Sequence, residues 1–556
     1  MELEQSFIAL IEQSIKTNWY LNALTDYKGI TLQYRDVARK IEKIHILLEN
    51  AGIEKGDKIA ICGRNSAHWT VTYLAVITYG AVVVPILHEF KADQVHNIVN
   101  HSEARLLFVG DQIWENLNEA AMPHLEGIIE LKDFGVPVSR SEKLAYARDH
   151  LNEIFGHKFP CRFRPDDISY EKEKSEDLAI INYTSGTTGY SKGVMLPYRA
   201  IWGNLDHILF KLKDKVKPGG NIVCTLPMAH MYGLAVEFFF GFLNGCHLYF
   251  LTRLPSPTLI AETFAEIKPS IIVTVPLVAE KIIRKKILPV VQTNRMRLLL
   301  NMPVISKKVK QKIREQVLEV FGGKAYEMVV GGAPINQSIE TFLQSIDFPL
   351  TIAYGTTETA PLIAFSDQSE YELFSCGKIV RHMEMKINSS DPENIPGELL
   401  VKGTNLMLGY YKNEEATREV IDEDGWFHTG DRATMSSDGH IYIKGRIKNM
   451  LLGANGQNIY PEEIEDKLNS MTMVNESLVV QHGNQLVGLV YPDMEEAQAM
   501  GFNEDDLKNI MEQNRLELNT LIPPFCKISE IRIHNEEFKK TPKKSIKRYL
   551  YKIQDT

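Results

Sequence analysis

Helix and strand patterns alternate through about the first 160 residues, and this alternation is the feature that most constrains the fold. Mainly apolar runs at residues 58–62, 81–85 and 104–109 have the length of short buried strands. Helical patterns at residues 68–79 and 94–102 separate them. This rhythm predicts a parallel α/β architecture.

The rest of the chain predicts two further parts of different character. A second α/β stretch extends to about residue 360 and includes a strand at residues 270–275. From Ser375, short apolar strands such as residues 397–401 alternate with turn residues and predict a small β-barrel-like subdomain. We therefore expect an α/β protein: a large N-terminal region of two α/β subdomains plus the β-barrel-like subdomain, followed by a small C-terminal α+β region.

Composition excludes several classes of protein. The chain has 556 residues, too many for a single core, and a formal net charge of −9, which argues against nucleic-acid binding. Its six cysteines lie far apart without a C-x-x-C pair, so neither a disulfide framework nor a cysteine zinc site is indicated. The N-terminus lacks the basic-then-apolar order of a signal peptide. A cytoplasmic location is expected.

The most apolar stretch, residues 231–251, predicts buried structure rather than a membrane span. It contains Glu237, Asn244 and His247, which disfavour a lipid environment. A helix near residues 234–243, then a turn and a strand, explains the pattern better. No transmembrane segment is expected, and peripheral contact with lipid surfaces is left open.

A loop rich in glycine and hydroxyl side chains follows the apolar run at residues 178–183. Residues 184–193 are Thr-Ser-Gly-Thr-Thr-Gly-Tyr-Ser-Lys-Gly. Glycine lets main-chain N–H groups turn toward an anion, the hydroxyls add donors, and Lys192 adds a positive charge. The loop therefore predicts a polyphosphate site at a strand end, where open α/β sheets bind nucleotides.

Other loop motifs fit this segment less well. A Walker A loop would need a second glycine at the position of Ser191 and a lysine directly after it, followed by Ser or Thr. Residues 189–193 match G-x-S-x-G, but a nucleophile elbow needs a strand directly before its serine and a helix directly after. A surface linker without a ligand would not need so dense a mixture of glycine, hydroxyl and lysine.

Five further segments extend the pattern along the chain. They are Gly-Gly-Ala-Pro-Ile at 331–335, Ala-Tyr-Gly-Thr-Thr-Glu-Thr at 353–359, Gly-Glu-Leu-Leu-Val-Lys-Gly at 397–403, Gly-Trp-Phe-His-Thr-Gly-Asp at 425–431 and Gly-Arg-Ile-Lys at 445–448. Together with the loop they resemble, in order, the motifs of the adenylate-forming superfamily. That superfamily comprises acyl- and aryl-CoA synthetases, luciferases and the adenylation domains of peptide synthetases. The matches extend over nearly the whole chain.

The resemblance implies a two-step reaction and two domains. ATP would activate a small-molecule carboxylic acid as acyl-AMP, with Mg²⁺ at the phosphates, and CoA would then take the acyl group. The domains implied are an AMP-binding domain at residues 1–445 and a mobile lid at residues 446–556, with Lys448 at the hinge.

The resemblance also implies roles for individual residues. Tyr354 would stack on adenine, and Asp431 would accept hydrogen bonds from the ribose, with Arg446 at the ribose or phosphate. Thr357 would reach the α-phosphate, while Glu358 and Thr184 would hold Mg²⁺. The nucleotide-binding set is Thr184, Ser185, Gly186, Thr187, Thr188, Gly189, Lys192, Gly332, Ala333, Pro334, Tyr354, Gly355, Thr356, Thr357, Asp431 and Arg446. The catalytic set is Lys192, Thr184, Glu358, His230 and Lys544.

Each segment taken alone also has a simpler interpretation. Residues 354–358 resemble a capped helix start, and residues 331–334 resemble a turn. Asp431 follows a glycine, as turn residues do. His230 would wall the carboxylate pocket by resemblance, but a core histidine with satisfied hydrogen bonds is an equal alternative.

The C-terminus departs from the family pattern. Such synthetases carry a catalytic lysine in a motif like Thr-x-x-Gly-Lys-Ile-x-Arg. Residues 540–548 are Lys-Thr-Pro-Lys-Lys-Ser-Ile-Lys-Arg, which places Ser545 where that lysine belongs. Either Lys544 or Lys543 substitutes through a shifted loop, or the first half-reaction is slow.

The sequence as a whole favours an acyl-CoA synthetase, closest to the bacterial long-chain fatty acid ligases. Residues 452–464 and the apolar segment 234–242 carry that narrower likeness. A medium- or long-chain fatty acid is the expected substrate. One alternative is an acyl-AMP ligase that transfers the acyl group to a carrier protein. Another is a nucleotide- or acyl-binding homologue with weak catalysis. The sequence does not predict an oligomeric state.

Overall fold

A computed structural model describes residues 6–184, 192–253, 256–291, 293, 303–452, 458–483, 485–540 and 546–551. It contains three large cores of buried apolar side chains, two within residues 7–441 and one within residues 459–528. The predicted α/β fold is confirmed, since helices and mostly parallel strands alternate through the first two cores.

An eight-stranded sheet forms the centre of the first core. Its strands, in spatial order, are Gly409–Tyr410, Lys192–Pro197, Leu178–Thr184, Val82–Ile86, Lys58–Cys62, Leu106–Val109, Gly127–Glu130 and Val138–Ser139. The middle strands run parallel and consist of buried Val, Ile, Leu and Phe, because helices cover both faces of such a sheet. The predicted strands at 58–62, 81–85 and 104–109 are confirmed within two residues.

The chain reverses its direction of travel across this sheet at strand Lys58–Cys62. The next strand in sequence, Val82–Ile86, lies on one side of it, and the following strand, Leu106–Val109, lies on the other. Helices Ala67–Thr78 and Ala92–Ser102 make the two connections. Such a switch point opens a crevice at the carboxyl ends of the strands.

Two four-stranded sheets complete the α/β region. One has the order Asn221–Cys224, His247–Phe250, Asn22–Asp26, Thr31–Gln33, and the other has the order Ile272–Thr274, Met328–Gly331, Leu350–Gly355, Leu362–Ala364. In the second, the first three strands are parallel, so their carboxyl ends meet at one edge. Its apolar side chains belong mainly to the second core.

Helices pack around these sheets and connect their strands. Besides those already named, they are Phe7–Thr17, Tyr34–Asn50, Asp111–Trp114, Glu142–Asp149, Leu151–Lys158, Tyr198–Leu212, Pro257–Ile267, Pro276–Lys286, Leu288–Val291, Pro303–Val320, Gln337–Ser345 and Glu414–Arg418. The apolar stretch at 231–251 is a π-helix, Gly233–Phe239, continued by the α-helix Phe240–Leu243, and then the strand His247–Phe250. Its side chains are almost all buried within the protein, as predicted. Among the residues described, no helix has the length and apolar character needed to cross a bilayer.

The subdomain that the sequence predicts as β-barrel-like consists of short strands, as expected, and they form a four-stranded antiparallel sheet. Its strands, in order, are Met383–Asn388, Gly397–Gly403, Phe427–Met435 and Ile441–Arg446. The short strand Gly409–Tyr410 leaves this region and pairs with Lys192–Pro197 at the edge of the eight-stranded sheet. The two regions are thereby joined beside the predicted phosphate loop.

The C-terminal region has its own sheet and its own core. Its strands are Leu451–Leu452, Asn458–Ile459, Val474–His482, Gln485–Pro492 and Ile528–Ile533, and its helices are Pro461–Leu468, Met494–Met500 and Glu504–Leu521. Apolar side chains between Ile459 and Ile528 pack into a core of their own. This supports the expected division near residue 445, which stays a proposal.

Candidate active site

Two of the predicted nucleotide motifs lie side by side because their strands are parallel neighbours. Strand Met328–Gly331 leads into the exposed residues Gly332, Ala333 and Pro334, and strand Leu350–Gly355 carries Tyr354. Gly331 pairs with Ala353 across the ladder. Both segments therefore leave the same carboxyl edge of the sheet, where α/β folds bind nucleotides.

The glycines of these motifs are required by close packing. A Cβ atom on Gly331 would lie 3.0 Å from the ring of Tyr232, and one on Gly355 would lie 1.9 Å from the carbonyl oxygen of Pro361. Gly332 has a φ of +86°, in the left-handed region that favours glycine.

A chain of polar contacts joins three predicted residues that are far apart in sequence. The Tyr354 hydroxyl donates to Asp431 Oδ2 at 2.5 Å, and Arg446 Nε lies 3.1 Å from Asp431 Oδ1. Asp431 and Arg446 face each other because their strands, Phe427–Met435 and Ile441–Arg446, pair in antiparallel register. The Asp431 carboxylate is thus fixed in place by two partners.

The electrostatic balance at this carboxylate comes mainly from burial. Asp431 is 3% exposed, and burial raises its pKa above the ordinary value, while Arg446 and the Tyr354 hydroxyl oppose that rise. Burial, with Asp431 next in importance, raises the pKa of Tyr354 well above its usual range. Asp431 in turn raises the pKa of Arg446. Tyr354 therefore remains a neutral donor, and Arg446 keeps its charge next to Asp431.

Tyr410 links the predicted lysine to the predicted magnesium ligand. Lys192 Nζ lies 4.7 Å from the centre of the Tyr410 ring, and the Tyr410 hydroxyl donates to Glu358 Oε1 at 2.9 Å. Burial, and then Glu358, raises the pKa of Tyr410 well above its usual range, so its hydroxyl keeps the proton that it donates. One side chain thus contacts both a cation and an anion.

The backbone explains why these three residues meet. Tyr410 pairs with Val194, and Tyr411 N donates to Gly193 O at 2.7 Å, so Gly409–Tyr410 is a strand added beside Lys192. The turn Thr357–Thr359 is held to the same segment by the Met407 N–H, which donates to Glu358 O at 2.9 Å.

Thr184 and Lys192 form the two stems of the phosphate loop. They face each other across the antiparallel pair of strands, with Thr184 Oγ1 3.5 Å from Lys192 O. The other predicted loop residues, Ser185, Gly186, Thr187, Thr188 and Gly189, lie outside the described residues.

The Thr357–Thr359 turn places the remaining residues of its motif. Thr357 is buried at 3% exposure, and Thr356 N donates to Thr359 Oγ1 at 3.2 Å. The cap of this turn is therefore built by threonines, and the Glu358 carboxylate instead accepts the bond from Tyr410.

The segment that carries His230 is clamped by three polar side chains from different elements. Glu237 accepts from Thr225 N at 3.0 Å and from Leu226 N at 3.2 Å. The Asn65 side chain donates to Leu226 O at 2.6 Å and accepts from Met228 N at 2.9 Å, and Asn182 Nδ2 donates to Ala229 O at 2.9 Å. This array holds the backbone from Thr225 to Ala229, and His230 follows it directly.

Glu237 is fully buried in the π-helix Gly233–Phe239. Burial raises the pKa of Glu237 well above its ordinary value, and the two N–H donors and the Thr225 hydroxyl lower it. π-Helical turns are rare and occur most often at functional sites. The half-buried His230 lies just before this helix, with its Nδ1 accepting from Tyr232 N at 3.3 Å.

A cavity of about 1010 Å³ opens at the switch point of the eight-stranded sheet. Segments that follow four of its parallel strands line this cavity, including Arg64, His88, Asp111 and Lys132. Asn65 also lines it, so one side chain contacts both the cavity and the clamped segment before His230. The sequence patterns did not indicate this cavity.

Of the remaining predicted residues, the structure describes Lys448 but not Lys544 or Ser545. Lys448 is exposed in the turn Ile447–Asn449, directly after the strand that ends at Arg446. Lys544 and Ser545 lie outside the described residues, so their positions stay a prediction.

Sequence reasoning missed Tyr410, Glu237 and Asn65. Tyr410 acts across a strand pairing between residues more than 200 positions apart, and no local pattern marks it. Glu237 did carry a signal, since it is a charged residue inside an apolar stretch. That signal was used only to argue against a membrane span.

Comparisons with known proteins indicate the family and the fold. Residues 12–411 match the model of a family described as AMP-binding enzyme. The human long-chain-fatty-acid–CoA ligase ACSBG2 is 28% identical over 480 residues, covering 82% of this chain and 70% of its own length. The Mycobacterium bovis long-chain-fatty-acid–CoA ligase FadD15 is 25% identical over 476 residues, covering 82% of this chain and 76% of its own length.

A solved structure shares the fold over almost the whole chain. The anthranilate CoA ligase AuaEII, in complex with anthranoyl-AMP, superposes with a TM-score of 0.79 at 17% identity, over 99% of this chain and 97% of that chain. At this identity the likeness concerns the fold alone.

Proposed function

Because this chain belongs to the family of AMP-binding enzymes, we propose that it is an ATP-dependent acyl-CoA synthetase acting on a fatty acid. In the first half-reaction a carboxylate oxygen attacks the α-phosphorus of ATP, the bond to the bridging oxygen breaks, and pyrophosphate leaves. In the second, the thiolate of CoA attacks the acyl carbon and AMP leaves with the electron pair. The names of its relatives support a long-chain acid as substrate.

One observation carries the proposal: residues from three different sheets and from the turn Thr357–Thr359 assemble into two groups, each of which holds a carboxylate and a cation together. Tyr354, Asp431 and Arg446 form one group, and Lys192 and Glu358, joined by Tyr410, form the other. Glu358 lies near enough to raise the pKa of Asp431. Both groups can therefore serve one nucleotide.

The first group suits the nucleoside. The Asp431 carboxylate oxygens each have a lone pair left after bonding Tyr354 and Arg446, and they can accept from the two ribose hydroxyls. The exposed backbone at Gly332, Ala333 and Pro334 gives adenine a surface beside the Tyr354 ring.

The second group suits the triphosphate. Lys192 would leave the Tyr410 ring for a phosphate oxygen, exchanging a cation–π contact for a full charge pair. Thr357 would donate to the α-phosphate. The Glu358 carboxylate and the Thr184 hydroxyl are the hard oxygen ligands that Mg²⁺ prefers, so the residues fit that ion. When bound, Mg²⁺ would neutralise phosphate charge as pyrophosphate leaves.

The clamped segment before His230 suits the acid. Its backbone is held by Asn65, Asn182 and Glu237, so the His230 side chain starts from a fixed position. We assign His230 to orienting the carboxylate for attack. The buried phenylalanines of the following helix, among them Phe238 and Phe239, provide apolar surroundings for an acyl chain nearby.

The cavity at the switch point suits the second substrate. Its lining includes Arg64, Lys91 and Lys132, which match the phosphates of the CoA nucleotide. We therefore place CoA there, with its pantetheine arm passing Asn65 toward the acyl-AMP. Asp26 and Asp111 also line the cavity, so the three cations stand beside two carboxylates, and the choice between CoA and a carrier-protein thiol is left to the mass of the product.

Two experiments test the reaction. Pyrophosphate release with ATP, Mg²⁺ and a panel of fatty and aromatic acids is expected to be greatest with medium- or long-chain acids. Lys192→Ala and Glu358→Ala are each expected to slow it by about a hundredfold or more, because each removes one aimed charge. No nucleotide binding, or full turnover in both variants, would contradict the assignment.

The acceptor is tested separately by the mass of the product. With CoA present we expect acyl-CoA, and Arg64→Glu is expected to raise KM for CoA at least about tenfold while leaving pyrophosphate release unchanged. Lys143→Glu, which changes an exposed lysine outside the cavity, is the control. Transfer to a carrier protein but not to CoA would establish the alternative acceptor.

A substitution at Ser545 tests which residue supplies the catalytic lysine. If Ser545 leaves the lysine position empty, Ser545→Lys is expected to speed adenylation. If Lys544 fills the role, Ser545→Lys changes little and Lys544→Ala slows pyrophosphate release. The lid at residues 446–556, the hinge at Lys448 and a cytoplasmic location remain parts of the same proposal.

A further inference from the structure

A histidine and two carboxylates converge at the far end of the hairpin that carries Asp431 and Arg446. His440 Nδ1 lies 2.9 Å from Glu372 Oε2 and 2.9 Å from Asp438 Oδ2. All three ligand atoms lie within 4.8 Å of one another, and this is the only group of its kind in the part of the chain that the structure describes.

The His440 ring is held in the orientation of a metal ligand. Its other nitrogen, Nε2, lies 2.8 Å from the main-chain oxygen of Glu370 and therefore donates its hydrogen there. Nδ1 is then the nitrogen that faces the two carboxylate oxygens, and a bound metal ion would replace the proton that Nδ1 shares with Asp438 Oδ2 at 2.9 Å. His440 is only 5% exposed, so water does not separate these atoms. A main-chain carbonyl behind the imidazole is the usual support of a metal-binding histidine.

The carboxylates leave one side of the cluster open. The side chains of Glu372 and Asp438 are 49% and 56% exposed. The Ser436 hydroxyl donates to the other oxygen of Asp438 at 2.6 Å, which leaves Oδ2 directed at His440. Lys378 Nζ lies 3.5 Å from that Oδ2, so a metal ion would compete with this lysine for the oxygen.

A second histidine of the same sheet also lies near two carboxylates, but in an arrangement that could not bind a metal ion. His428 also lies between two carboxylates, but Glu398 faces its Nδ1 at 3.0 Å and Asp422 faces its Nε2 at 3.5 Å. Those oxygens lie on opposite sides of the ring and cannot share one ion.

We propose that Glu372, Asp438 and His440 bind a divalent transition metal, with Zn²⁺ the ion best matched. Three protein ligands with one nitrogen, plus water at the open side, complete a tetrahedral zinc site. Mg²⁺ prefers oxygen ligands alone, so this site is separate from the ion that accompanies ATP. The metal ties the hairpin turn after Met435 to the segment around Glu370, and so steadies the strands that carry Asp431 and Arg446.

The test is Zn²⁺ titration of the full chain without nucleotide, by calorimetry. We expect one equivalent to bind, with affinity weakened at least about tenfold in Glu372→Gln and in His440→Gln. His428→Gln is the matched control and should bind as the wild type does. Millimolar Mg²⁺ should not displace the zinc. Anomalous scattering at the zinc edge from a soaked crystal should place the ion at His440.

Other outcomes overturn the proposal. The proposal is wrong if the wild type does not bind zinc, if all variants bind it equally, or if His428→Gln loses binding. If His440→Gln fails to fold, Glu372→Gln still decides, because its half-exposed side chain is not part of a core. A cluster that only shares a proton would show no zinc-dependent difference between these variants.

Discussion

Tyr410 holds a cation and an anion of the proposed phosphate site through different parts of one side chain. Tyr410→Phe keeps the ring under Lys192 and removes only the hydroxyl bond to Glu358. A hydrogen bond to a charged group contributes about 1.5–3 kcal/mol. We therefore expect kcat/KM for ATP, measured by acid-dependent pyrophosphate release, to fall by about ten- to a hundredfold.

The neighbouring tyrosine provides the control for this prediction. Tyr411 donates to Glu103 at 2.8 Å on the surface, so Tyr411→Phe loses a similar bond outside the site. It should keep nearly full activity. Equal effects of the two substitutions would show that Tyr410 matters only for local stability.

Glu327 makes the stability of the second sheet depend on pH. It is fully buried, and burial raises its pKa to about 8, although the Thr351 hydroxyl and the main-chain N–H of Gln368 act in the opposite direction. Because the folded pKa lies above the ordinary value of 4.5, the folded state binds the proton more tightly. Its contribution to stability is complete below pH 4.5 and is lost as the pH rises through about 8.

Glu327→Gln should remove this pH dependence. The free energy of unfolding of the wild type, measured by urea titration, is expected to decrease as the pH is raised from 5.5 to 8.5, by up to about 1.4 kcal/mol per pH unit. The free energy of unfolding of the variant is expected to decrease less. Glu315→Gln, on an exposed helix face, should follow the wild type. Parallel curves for wild type and Glu327→Gln would contradict the assignment.

At the scale of elements, the segment before His230 depends on the π-helix that follows it. Glu237→Gln keeps the shape of the side chain but turns one acceptor into a donor that faces Thr225 N or Leu226 N. An N–H left without an acceptor costs about 1–3 kcal/mol. We expect kcat for acid activation to fall about tenfold or more while the Kd for ATP changes little, because Glu237 acts only through the segment.

ATP affinity measured without acid is the control for Glu237→Gln. A matched loss of ATP affinity would mean that the variant disturbs the whole fold rather than the His230 segment. No kinetic change at all would show that the clamp by Asn65 and Asn182 is sufficient alone.

These elements show which features the sequence could predict and which it could not. The strand at 58–62 was predictable because four apolar residues follow Lys58 without interruption, as in strands buried on both faces. Motif resemblance indicated Tyr354, Asp431 and Arg446, but not the contact through which Asp431 holds the other two. Register explains the difference: Asp431 faces Arg446 only because two strands pair with one particular alignment, and periodicity does not specify alignment.

At the scale of the whole molecule, polar contacts join the C-terminal region to the rest of the described chain. Lys285 Nζ lies 2.5 Å from Glu495 on the surface, and Asn336 donates to Ser470 at 2.9 Å. Exposed ion pairs of this kind contribute about 0–1 kcal/mol, and the C-terminal core is separate. Such an interface can break and form again in each catalytic cycle, as a rotating lid requires.

Lys448 is where the proposed rotation can be tested, because it lies in the short turn Ile447–Asn449 between the two regions. Lys448→Pro fixes φ near −65° and blocks any rotation that needs another value. We expect one half-reaction to slow by at least about tenfold and the other to stay near normal. The first is measured by pyrophosphate release in a single turnover, and the second by transfer of added acyl-AMP to CoA. Lys448→Ala keeps the backbone free and should leave both rates within about threefold of normal. If alanine and proline slow both steps alike, Lys448 acts through its side chain, and the hinge lies elsewhere.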